Sequence, residues 1–157
     1  MADPINLSTI GIKIGWAPEV TAGTRPTTAT RLYGLKSIPA LSSAPESIET
    51  TTLDAEEFKT YIAGLKDLGG ALEITANLTQ KLKDDWGDVM TAYDTAAARG
   101  LSLWLFIIIP GLDEAFGFTF QPTALSPGEI GVNAVLETPL SVTPLNEPAW
   151  VAKPTIA

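Results

Sequence analysis

Residues 71–80 read ALEITANLTQ, and residues 81–100 read KLKDDWGDVMTAYDTAAARG. In the first stretch Leu72, Ile74, Ala76 and Leu78 fall on one face, and Glu73, Thr75, Asn77 and Thr79 on the other. Strand side chains alternate between faces, so this is a strand with one apolar and one wet face. In the second stretch Leu82, Trp86, Val89, Tyr93 and Ala97 recur at spacings of four, three, four and four, which is one helical face. The spacing predicts a helix over about 81–99 whose Leu82, Trp86, Val89 and Tyr93 pack on a sheet. Thr79 or Gln80 stands near its N-cap, and Asp84 and Asp85 fall toward its positive end. Arg99 and Gly100 close it. Gly87 weakens its interior by up to about 1 kcal/mol relative to Ala.

On the N-terminal side, Ile10, Ile12 and Ile14 alternate with Gly11, Lys13 and Gly15, so residues 5–16 are read as a strand. Residues 17–30 hold Pro, Gly and five Thr and are expected to be a loop or ragged edge; 31–38, RLYGLKSI, are a second strand. Residues 44–68 are read as one long connector, far beyond the usual length of about 4–6 residues. It is too apolar for disorder. On the C-terminal side, 101–109, LSLWLFIII, are a strand buried on both faces, or buried on one and covered by a neighbour on the other. Phe116, Phe118 and Phe120 mark another strand, and 130–143 one long strand or two short ones broken at Pro139. From about residue 144 the chain is a Pro-rich arm with Trp150 as its anchor. The fold class is therefore mainly β: one domain over 1–157, a β-sandwich or barrel of about six to eight strands with one flanking helix.

The chain has 157 residues, long enough for a core without staples. Charged residues make up 18%, against a usual share of about 25%. So few charges suit a surface covered by other chains. There is no Cys and no His, which removes disulfides, thiolate zinc sites, cysteine nucleophiles and Ser–His triads. The longest apolar run, 101–109, is far short of the roughly 20 residues of a membrane helix, and no signal peptide opens the chain. A soluble, cytoplasmic chain is expected. Net charge is −8, with no basic cluster to neutralise phosphates.

Asp84, Asp85 and Asp88 are read as a solvated helix face; Asp54, Glu56 and Glu57, and Asp113 and Glu114, as solvated turns. GLKDLGG does not match a phosphate loop. Trp16, Trp86, Trp104 and Trp150 are read as packing residues rather than a stacking platform for bases. No constellation carries catalysis, and no enzyme activity, metal or cofactor is expected.

Three motifs lie between residues 38 and 77: P-E-x-I-E-T-T-x-L at 45–53, Y-I-x-G-L-K-D at 61–67 and L-E-x-T at 72–75. In these the chain resembles the major tail tube proteins of long-tailed bacteriophages with flexible, non-contractile tails. The resemblance implies a structural subunit that forms hexameric rings stacked into a hollow tube, placed in the virion tail and assembled in the host bacterial cytoplasm. Its partners would be further copies of itself and other tail proteins at the tube ends. DNA would pass through the lumen without specific binding, and the monomer would meet no membrane. The resemblance also places a ring-stacking loop over 44–68, with Leu53, Phe58, Tyr61 and Ile62 as its anchors. Under this reading the wet face of the 71–80 strand, Glu73, Thr75, Asn77 and Thr79, lines the channel, with Asn133 and Glu137 as partners; the alternative is the outside of a sandwich. Two other functions stay open: a tube protein of a contractile tail or secretion system, and a monomeric β-sandwich module that binds glycan or protein.

Overall fold

The computed structural model describes residues 10–40, 45–54, 56–66 and 71–156. Parts of two expected elements, 5–9 of the first strand and 44, 55, 67 and 68 of the long connector, lie outside these residues. The described elements are β1 (Lys13–Pro18), β2 (Thr28–Leu32), β3 (Leu35–Ser37), β4 (Pro45–Glu49), β5 (Tyr61–Lys66), β6 (Leu72–Asn77), α1 (Gln80–Ala98), β7 (Leu103–Ile108), β8 (Glu114–Pro122), β9 (Glu137–Pro144), β10 (Ala149–Ala152) and β11 (Thr155–Ile156). The fold is mainly β, a curled sheet with one flanking helix.

Nine strands form one sheet in the order β11-β2-β1-β7-β8-β9-β6-β3, with β10 pairing to β8 beside that path. Pairing is antiparallel except between β11 and β2. The 71–80 reading holds: Leu72, Ile74 and Ala76 are buried, while Glu73 is exposed and Thr75 and Asn77 are half-buried on the other face. The register sets Ile74 opposite Leu140 and Leu72 opposite Val142 on β9. These side chains join Ile14, Trp16, Leu32, Leu103, Leu105, Phe118 and Phe120 in one core, sealed by Leu82, Trp86 and Val89 of α1.

The helix is built as its sequence dictates. Thr79, with extended backbone, accepts a hydrogen bond from the Leu82 N–H at 3.1 Å. Arg99 and Gly100 end it, with Gly100 at φ 71, the left-handed conformation that favours glycine. The Trp86 indole N–H donates to the Thr123 carbonyl at 2.8 Å, so its burial leaves no unpaired donor. The inner stripe continues through Ala96, seven residues beyond Val89, rather than through Ala97, which is exposed; Tyr93 is half-buried. Because α1 starts at Gln80, Asp84 and Asp85 lie beyond its first turn. They bond Gln80 and Lys81 instead.

The apolar run at 101–109 is buried on both faces for a specific reason. Leu103 and Leu105 face the helix-side core. On the other face Phe106 packs with Ala17 and Ala29, and with Trp104, Val151 and Ile156. The C-terminal arm supplies the cover: β10 runs along β8, and two residues later β11 joins β2. The arm thus bridges the outer edges of the four-strand stretch β8-β7-β1-β2 and encloses a second, smaller apolar space. That space demands small residues. A Cβ on Gly15 would lie 2.8 Å from the Ile156 Cδ1, and one on Gly117 3.0 Å from the Phe106 ring.

Several sequence expectations are corrected. Residues 28–30, expected as ragged loop, open β2, and RLYGLKSI is not one strand: it folds at Gly34, φ 84, into the end of β2 and β3 on opposite flanks of the sheet. Residues 44–68 are not a loop, since β4 and β5 make an antiparallel hairpin there. The 130–143 strand starts only at Glu137, where β6 offers a partner; before it the chain turns through Asn133 at φ 58. Trp150 is not the arm's anchor. It is half-exposed and packs tilted against Phe116, ring centres 5.1 Å apart, while Val151 and Ile156 point inward. The strand count is eleven among the described residues, because short arm and hairpin strands carry too little pattern to be seen.

The same substitution is expected to act with opposite sign at two glycines. Gly87 is exposed and an added Cβ meets nothing within 4 Å, so Gly87→Ala should raise stability by about 0.5–1 kcal/mol. Gly15→Ala should lower it by about 1–3 kcal/mol through overpacking against the arm. Urea unfolding of both variants measures this. Trp86→Ala should cost about 3–5 kcal/mol as a core truncation; a loss below about 1 kcal/mol would show the face misassigned.

Candidate assembly interface

The hairpin is held by its threonines. Ile48 pairs with Ile62 and Glu49 with Tyr61. At its neck the Thr50 N–H donates to the Thr60 carbonyl at 2.7 Å, the two hydroxyls meet at 3.0 Å, and the Thr60 N–H donates to Thr51 Oγ1 at 2.9 Å. Below that neck Gly64 is required by close packing: a Cβ there would lie 3.1 Å from the Glu46 carbonyl. The Thr run and the Gly of the sequence motif therefore shape a finger whose two strands are joined through 50–60.

The finger leaves the body of the protein. Its two strands form a sheet of their own, and their principal contacts are with each other. Leu53 is fully exposed, Phe58 is 80% exposed, and Ile48, Tyr61, Ile62 and Leu65 are each about half exposed or more. All four residues expected as anchors are thus without cover in the single subunit. Tyr61 and Leu65 lie on one face and Ile48 and Ile62 on the other, so both faces are apolar. A lone two-stranded hairpin is marginal in water, and exposed apolar patches of this kind mark contact surfaces.

The second expected surface is the wet face of β6. The register sets Glu73 opposite Ser141, Thr75 opposite Pro139, and Asn77 opposite Glu137. Glu137 is tied to Lys36 of β3 at 2.5 Å. Glu73, Thr75, Asn77 and Glu137 therefore share one wall on the side of the sheet away from α1. Thr79 and Asn133 do not belong to it. Thr79 lies past the end of β6 with its hydroxyl committed to the helix, and Asn133 sits in the exposed turn before β9.

That turn was missed by sequence reasoning. Residues 123–136 carry exposed Ile130, Val132 and Val135 on a loop tied down along its length: the Thr123 N–H donates to the Ser141 carbonyl at 3.0 Å, the Thr138 hydroxyl to the Ser126 carbonyl at 2.6 Å, the Gly128 N–H to the Glu137 carbonyl at 2.8 Å and the Leu78 N–H to the Leu136 carbonyl at 2.9 Å. Its alternating apolar pattern imitates a strand; Pro127, Gly128 and Gly131 were the available signal against it. Among the described residues no group of three or more acids could hold a metal ion. No helix among them is long and apolar enough to cross a membrane.

No protein-family model matches the chain, and no curated protein sequence does. Solved structures do. A chain in the cryo-EM structure of the anti-feeding prophage (AFP) baseplate, 6-fold symmetrised, matches with a TM-score of 0.66 and 12% identity, over 97% of this chain and 98% of that one. A chain in the tail of an empty GTA particle, computed with helical refinement and C6 symmetry, matches with a TM-score of 0.55 and 14% identity, over 90% and 94%. The likeness is one of fold.

Because Leu53 and Phe58 of the tip are exposed, deleting residues 51–58 should leave unfolding free energy within about 0.5 kcal/mol of the parent. Urea unfolding under dilute conditions, followed by Trp fluorescence, checks this.

Proposed function

We propose that this chain is a structural subunit of a phage-type tail tube, which assembles as hexameric rings that stack into a hollow conduit for DNA. The observation that carries the reading is the nearly end-to-end likeness to a chain of a six-fold symmetrised prophage baseplate. Support comes from a second likeness, to a chain of a C6 tail, and from the sequence motifs of the finger and of β6. The uncovered finger fits the same role: its apolar anchors Leu53, Phe58, Tyr61 and Ile62 would be buried between rings. Aromatic and large aliphatic anchors carry most interface energy. Under this reading the protein is not an enzyme, takes no cofactor, and resides in the particle's tail after assembly in the host cytoplasm. Other tail proteins would bind the tube ends.

The wall of Glu73, Thr75, Asn77 and Glu137 would face the lumen. Cations on a wall bind phosphate by releasing counterions. An acidic and neutral wall offers no such gain, so DNA slides. Within this wall Lys36 is already paired to Glu137. The higher TM-score to a baseplate chain favours a second reading, a tube segment at the baseplate end or in a contractile relative.

Electron microscopy of the purified protein should show rings or hollow tubes, and the 51–58 deletion should abolish tubes while leaving soluble subunits. A sizing column that shows a single monomer peak at all concentrations would point to a binding module instead. Glu73→Lys should spare tube assembly yet slow DNA ejection from particles that carry it, because each subunit adds one cation to the path. The effect should fade as salt rises. Unchanged ejection at low salt would remove Glu73 from the channel.

A further inference from the structure

β2 and β3 follow one another in the chain, yet they lie on opposite flanks of the curled sheet. The sheet therefore meets itself at the Tyr33–Gly34 corner without a hydrogen-bonded ladder. β3 pairs only with β6 among the described residues, and β11 covers only Thr28 and Ala29 of β2. The corner holds a cleft of about 480 Å³, within the range of about 300–1,000 Å³ typical of binding pockets. Its floor is apolar, made by Ile12, Ile14, Leu32, Leu35 and Ile38.

The rim is cationic. Arg31 and Lys36 line the cleft with Tyr33. The Arg31 guanidinium lies 4.6 Å from the centre of the Tyr33 ring, and the Lys81 ammonium 5.1 Å from the same ring. Lys36 is paired with Glu137 and Lys81 with Asp85. Arg31 has no carboxylate partner among the described residues, and its Nε–H is buried with no acceptor. In a chain of net charge −8, this corner reverses the prevailing sign.

The finger tip has the opposite character. Leu53 and Phe58 project into solvent beside Asp54, Glu56 and Glu57. One surface offers an apolar floor with a cationic rim; the other offers apolar side chains with an acidic collar. We propose that the cleft receives the finger tip of a second copy of this chain, with Leu53 or Phe58 entering the floor and the tip carboxylates bonding Arg31. This rests on the tube-subunit reading and names the receiving surface within it. A carboxylate on the Arg31 guanidinium, which has no carboxylate of its own among the described residues, would make a charge-assisted hydrogen bond. Because tip and cleft are different surfaces, the contact is heterologous and propagates from copy to copy.

The chain has no Cys, so introduced cysteines report without background. Ser37→Cys places a thiol on the rim and Glu57→Cys one on the tip. On oxidation of the assembled mixture, a disulfide-linked dimer should form that neither single variant gives alone. Tubes without that linkage would overturn the docking while leaving the tube reading intact. No linkage and no assembly under any condition would overturn both. A linkage from Cys at 37 to a cysteine placed at Ile5 of the same chain would show the chain's own N-terminal segment in the cleft, and would also overturn the docking. In parallel, Arg31→Glu should raise the concentration needed for assembly at least about tenfold, the scale expected when one partner of a charge pair is lost. Glu56→Arg with Glu57→Arg in the same chain should restore most of it. No rescue, with Arg31→Glu folded by circular dichroism, counts against the pairing; the cross-link decides if that variant does not fold.

Discussion

The burial of β1 and β7 on both faces is the constraint from which the rest follows. Strands in the middle of a sheet can present one face to a helix at little cost, but their second face must also be covered if it is apolar. Here α1 covers one side of Ile14, Trp16, Leu103 and Leu105, and the C-terminal arm covers the other, over Ala17, Phe106 and Trp104. The arm can reach only because the sheet curls, and the curl in turn brings β2 and β3 to the corner where the sheet fails to close. Small residues at Gly15, Gly117, Ala17 and Ala29 set how closely the arm can lie.

What was legible in the sequence was local. The stripe of Leu82, Trp86 and Val89 placed the helix within one residue of its bounds, and the period of two in ALEITANLTQ placed a strand that ends at Asn77, three residues early, because each signal is carried by consecutive residues. The apolar excess of LSLWLFIII correctly implied double burial, but nothing near it named the cover, since Val151 and Ile156 are some fifty residues away. Gly34 cut a strand in two by taking a positive φ that glycine permits but the alternation of RLYGLKSI does not demand. IGVNAVL alternates like a strand, but with no neighbour to pair it remains a loop. The exposure of Leu53, Phe58, Tyr61 and Ile62 and the shared face of Glu73, Thr75, Asn77 and Glu137 were legible by pattern. Thr79 was drawn from the wall by its competing duty as a cap, and Arg31, Tyr33 and Lys36 were not found because their meeting depends on the corner.

Stability and assembly draw on separate parts of the molecule. The two cores hold Trp16, Trp86, Phe106, Phe118 and Phe120, while the finger and residues 130–136 carry large apolar residues that contribute to neither. Surface without a stabilising duty is free to be shaped by what it touches, and its loss leaves the cores intact. The wall of β6 and β9 lies between these extremes, since its inner face is core and its outer face is open.

The parallel pairing of β11 with β2 joins Thr155 to Thr28, nearly the full length of the chain. Such a contact closes a very long loop, and ladders of this kind form late in folding. With only two residues in the ladder, it is also among the cheapest to open. Kinetically, the arm acts as a latch. Until it shuts, Phe106 and Trp104 lie on an open strand face, and the edge of β2 stands ready to pair with whatever strand arrives first. In a concentrated pool of identical subunits, a neighbour's arm competes with the chain's own. The speed with which Ile156 finds Gly15 then sets how often two copies exchange arms rather than fold alone.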